Sequence, residues 1–118
     1  MSNKSPECYT TDLQARCLRI EIAPARTLLL PLDQFVFAEL AGEEKEQKLR
    51  LVFATHEVLI CGHVLRRVET AMHRMELSGI MKLADKFYSL IAENQPRIRD
   101  ILVTENKPLS SQVTDAQP

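Results

Sequence analysis

Residues 63–96 read "HVLRRVETAMHRMELSGIMKLADKFYSLIAENQP", and the fold turns on how much of this stretch coils. Leu65, Val68, Met72 and Met75 recur at steps of three, four and three, which puts all four on one stripe of an α-helix beginning near His63. Gly79, after Ser78, marks its end, because glycine takes the left-handed conformation that closes helices. A second helix is predicted to follow, with Ile80, Leu83, Phe87, Leu90 and Ile91 on one side and Lys82, Asp85, Ser89 and Glu93 on the other. Pro96 closes it.

The text on either side of this helical hairpin is strand-like. In "CLRIEI", Leu18, Ile20 and Ile22 alternate with Arg19 and Glu21, the period of a strand with one wet face. "TLLLPL" is a further short strand, and Pro31, which has no amide hydrogen for a ladder, assigns it to an edge or a bulge. "QFVFAEL" and "LRLVFAT" flank the charged connection "AGEEKEQK" and form a hairpin. "HEVLICG" continues the sheet after a turn or kink at Thr55, His56 and Glu57, and "IRDILVTE" returns to it after the helices. The expected class is α+β: a mainly antiparallel sheet of about five to six strands with a two-helix hairpin packed on one face, in the order β-β-β-β-β-α-α-β. Residues 1–12 and 106–118 are polar and read as flexible ends around a single α+β domain at 13–105.

With 118 residues and 45% hydrophobic content, the chain is large enough to build one core without metal or disulfide staples, so no cofactor is expected. Fifteen basic against sixteen acidic residues leave a net charge of -1. No global field draws the protein to nucleic acid or to an anionic membrane; only a local patch would. No window approaches the ~18 apolar residues of a membrane span, and the N-terminal "MSNKSPECYTTD" lacks a secretory apolar region. Three widely spaced cysteines, Cys8, Cys17 and Cys61, fit reduced thiols. A cytoplasmic protein with no membrane association is expected.

Residues 51–75 hold all three histidines and Cys61, which raises metal or thiol chemistry around Cys61, His63 and His73, with His56 as another partner for the thiol. Glu69, His73 and Glu76 share a helix side at steps of four and three. Cys61 and His63 are two apart, but no second close pair complements them, and an ion-pair ladder with Arg66 explains the helix side better than a metal does. No nucleophile elbow, P-loop or dinucleotide-binding fingerprint is present, and three glycines offer little for a phosphate-cradling loop. No catalytic residue and no metal ligand is therefore assigned.

Two binding surfaces remain. His63, Arg67, Thr70 and Arg74 lie opposite the apolar helix stripe, a basic line able to meet phosphates; Arg97, Arg99 and Lys107 extend it if the last strand lies nearby. An apolar run at Leu28, Leu29, Leu30 and Leu32, with Met81 and Tyr88 widening the second helix's apolar side, suggests an interface for a protein partner or a homodimer. The leading expectation is a non-catalytic interaction or regulatory domain that self-associates. A nucleic-acid or polyanion binder acting through Arg67 and Arg74 comes second, and a metal- or thiol-dependent enzyme third.

Overall fold

A computed structural model describes residues 8–43, 45–83 and 95–106. Among these the chain forms eight strands and one α-helix: β1 (Tyr9–Thr11), β2 (Cys17–Ala23), β3 (Arg26–Pro31), β4 (Phe35–Glu43), β5 (Glu46–Phe53), β6 (His56–His63), α1 (Arg66–His73), β7 (Leu77–Met81) and β8 (Arg97–Glu105), with a single 3-10 turn at Leu32–Gln34. The strands make two four-stranded sheets, ordered β1-β7-β2-β3 and β4-β5-β6-β8. The second is antiparallel throughout. In the first, β7 runs antiparallel to β1 and parallel to β2.

This corrects the expected fold. Among the described residues the chain is mostly β, with two sheets in place of one and a single helix. Residues 77–81, read as the end of one helix and the start of another, are β7. The remainder of the expected second helix, residues 84–94, lies outside the described residues. Tyr9–Thr11, read as part of a flexible end, pair with β7 at the sheet margin.

The helix ends at His73, six residues before Gly79, for a local reason. Met75 takes a left-handed backbone, φ 58°. Its amide donates to Met72 O at 2.9 Å and the Glu76 amide donates to Ala71 O at 2.9 Å, the paired bonds of a Schellman ending. Glycine is the usual residue at such a place, because a side chain there crowds the backbone. Met75→Gly is expected to raise unfolding free energy by about 0.5–1 kcal/mol; equal urea midpoints for the two proteins would show that the left-handed residue is unstrained.

Both sheets and the helix bury one common cluster. Leu18 and Ile20 of β2, Leu49 and Leu51 of β5, Val58 and Ile60 of β6, and Leu65, Val68 and Met72 on or beside α1 are all fully buried in it. The alternation of buried and half-buried residues from Leu49 to Phe53 in β5 and from Glu57 to His63 in β6 shows the cause: every second side chain leaves water. The hairpin expected around the charged connection is the β4–β5 pair, whose last rung is Glu43 opposite Glu46. Pro31 lies, as its missing amide hydrogen requires, on an edge strand. Among the described residues no helix is long and apolar enough to cross a membrane.

Candidate functional site

The side of α1 turned from the core carries the site. Val68, Ala71 and Met72 face inward, which leaves Arg66, Arg67, His73 and Arg74 exposed and Thr70 half-buried. Arg67 and Arg74 stand two turns apart, about 10.5 Å along the axis, with Thr70 between them. They line an open depression of ≈ 290 Å³ whose opposite wall is Tyr9 and Thr11 of β1 and whose end is Glu76.

The topology explains why β1 meets the helix. β7 begins three residues after α1's C-cap and pairs with β1. A bond from the Asp12 amide to Glu76 O, 2.8 Å, fixes the far end of the same junction. Thus Tyr9 and Thr11, distant in sequence, complete a site that the helix alone only begins. Arg66 is engaged by Glu69 at 3.4 Å. Among the described residues neither Arg67 nor Arg74 sits in an ion pair.

A second hollow, ≈ 320 Å³, lies on the outer face of the first sheet, bounded by Arg19 and Glu21 of β2, by Ser78, Gly79 and Met81 of β7, and by Thr10. Thr10 Oγ1 and Ser78 Oγ share a hydrogen bond of 2.8 Å at its margin. Tyr9 borders both hollows.

His63 does not belong to the basic line. It is the last residue of β6, opposite Arg97 in β8, because the chain turns out of the strand at Val64, φ 54°, before the helix begins. Its charge acts on Glu46 instead. The hydrogen bond from Arg99 holds the Glu46 carboxyl below its ordinary range; burial opposes this, and the charges of Arg99, His63 and Lys48 add to it. Arg99 Nη1 donates to Glu46 Oε1 at 2.8 Å and its Nη2 to Oε2, which occupies one of the two arginines expected to extend the patch; the other, Arg97, lies opposite His63. Lys107 lies outside the described residues.

The histidines scatter. His56 begins β6, with Nδ1 2.7 Å from Thr55 Oγ1, His63 ends the same strand, and His73 is exposed at the end of α1. Cys61 is half-buried on β6 opposite Lys48 and Asp100. Glu76 lies past the helix end, off the side it was expected to share with Glu69 and His73. Among the described residues no three His, Cys, Asp or Glu side chains are grouped to hold a metal ion.

The apolar interface is also redistributed. Leu30 and Leu32 belong to the core at 2% and 3% exposure, and Leu28 packs against it. Leu29, on the other face of β3, is 53% exposed, Met81 borders the outer hollow, and Tyr88 lies outside the described residues. The run of leucines is therefore an edge strand with its alternate side chains inward.

Sequence reasoning placed Arg67, Thr70 and Arg74 on one side of the helix, and it did not place Tyr9 and Thr11 beside them. The available signal was "YTT" itself, an aromatic beside two β-branched residues, a composition that favours a strand. No protein-family model, curated protein or solved structure matches the chain.

Proposed function

We propose that the protein is a non-catalytic interaction domain that takes an anionic group between Arg67 and Arg74. One observation carries the reading: both arginines are exposed, uncommitted to any ion pair among the described residues, and turned with Thr70, Tyr9 and Thr11 toward one depression. Guanidinium groups match carboxylate and phosphate oxygens with paired donors, and hydroxyls at the margin add neutral ones. Glu76 leaves the depression only one positive charge in excess, which favours a ligand held by shape and hydrogen bonds over a dense polyanion. The three cysteines are free thiols, which fits residence in the reducing cytoplasm.

The test is binding by fluorescence anisotropy of two labelled probes, a glutamate-rich peptide and a single-stranded oligonucleotide, across a salt series. At least one probe is expected to bind; if it is the oligonucleotide, two phosphate contacts give a log–log salt slope of about -1.4. Arg67→Glu with Arg74→Glu should remove that binding, whereas the same charge change at exposed Arg16 and Arg26 should leave it. Equal losses in the two double variants, or none in the first, would overturn the assignment.

A further inference from the structure

We infer that β1 accepts an extended acidic peptide as an added strand at the free margin of the first sheet, with alternate peptide side chains entering the two hollows that flank it. The inference rests on the anion site just proposed and names its ligand class.

The main chain supplies the first part of the argument. Cys8 O accepts from the Met81 amide at 2.9 Å, and the Asp12 amide donates to Glu76 O at 2.8 Å. Along a strand the main-chain groups of successive residues point to opposite sides. The groups of Cys8, Thr10 and Asp12 therefore turn toward β7, and those of Tyr9 and Thr11 turn away from it. Among the described residues no strand pairs with β1 on that side, so two amides and two carbonyls stand ready for a partner strand.

The side chains supply the second part. Tyr9 and Thr11 face the depression holding Arg67 and Arg74, and Thr10 faces the outer hollow over Gly79. A strand laid along β1 continues this alternation. Every second peptide residue would meet the arginines, and the residues between would lie beside Thr10, Ser78 and Met81. Gly79 keeps the outer hollow open: a Cβ there would come within 2.7 Å of Thr10 Oγ1. Acidic residues at alternate places, separated by small or β-branched ones, are the complementary text. Main-chain bonds give affinity in such strand addition, and the alternating hollows give selectivity.

The two margins of this sheet differ in the way this reading needs. Natural sheets guard an edge with proline or charge. β3 carries Pro31 and Arg26, whereas β1 is Tyr-Thr-Thr, with neither. A nucleic acid would use the arginines but not the main-chain groups of β1.

The experiment uses the full chain with a labelled peptide alternating glutamate and valine, the same peptide N-methylated at alternate residues, and the oligonucleotide. Hydrogen exchange at the Tyr9 and Thr11 amides is read by NMR. The expected result is peptide binding that slows both amides and weakens about ten-fold on N-methylation, the loss of roughly one or two main-chain bonds. Peptide binding with neither amide slowed and no effect of N-methylation overturns strand addition and leaves the anion site standing. So does binding of the oligonucleotide alone. Binding of neither probe overturns both.

Discussion

Gly62→Ala is expected to destabilise the fold by about 3–5 kcal/mol, although it adds a single methyl group. A Cβ at Gly62 would lie 1.9 Å from Arg97 O, 2.9 Å from Arg97 C and 3.1 Å from Ile98 Cα. All three are main-chain atoms, so no side-chain rotation makes room. The clash falls where the β6–β8 register shifts, between Cys61 and Gly62, and relief requires β8 to move off β6 at Ile98. Ile98 is fully buried, and withdrawing it forfeits roughly 1.5–3 kcal/mol of apolar burial in addition to the broken ladder. Gly79→Ala provides the comparison: its closest obstacle is the Thr10 hydroxyl, which can rotate. Urea unfolding should therefore place Gly62→Ala far below wild type and Gly79→Ala between the two. A Gly62→Ala midpoint equal to wild type would mean that β8 is not pressed against β6 as described.

The second large effect belongs to Phe53, where truncation to alanine should remove about 3–5 kcal/mol. Phe53 is 1% exposed in the common core and meets the Phe35 ring edge-on, with centroids 5.5 Å apart and planes at 64°. Removing the ring loses its burial, leaves a cavity between the two sheets' inner faces, and strips Phe35 of its aromatic neighbour. Phe37→Ala is the internal control. Phe37 is 45% exposed and touches the Arg50 guanidinium 5.4 Å above its ring, so its loss should be about 1 kcal/mol or less. Denaturant titration of the two variants separates core from surface aromatic. Similar losses for both would contradict the inward placing of Phe53.

Much of the sheet was legible because alternation is a local property. Leu18 and Ile20, Leu49 and Leu51, and Val58 and Ile60 announce their strands without knowledge of any partner. The inward stripe of Leu65, Val68 and Met72 was legible for the same reason, and Arg67 and Arg74 followed as its complement. Alternation does not say which strand lies beside which, so one sheet was expected where two exist. The helix ending was hidden because Met75 holds a conformation its residue type seldom takes, while Gly79, which suits that conformation, sits in a strand. Once Gly79 was read as the cap, residues 77–81 had no reading as β7, and β1 lost the strand that gives it a place. The candidate depression was legible by half accordingly: the helix wall could be read from one segment, but the Tyr9–Thr11 wall depends on a pairing across 68 residues, the separation of Thr10 from Ser78.

That late strand orders events in time. β7 is the inner neighbour of both β1 and β2, so neither meets it until synthesis has passed Met81. Until then the β2–β3 ribbon has the flank that β7 covers exposed. Closure over such spans belongs to the millisecond-to-second regime of distant pairings. The arginine-bearing hollow needs that closure, because its Tyr9 and Thr11 wall is held in place by β7.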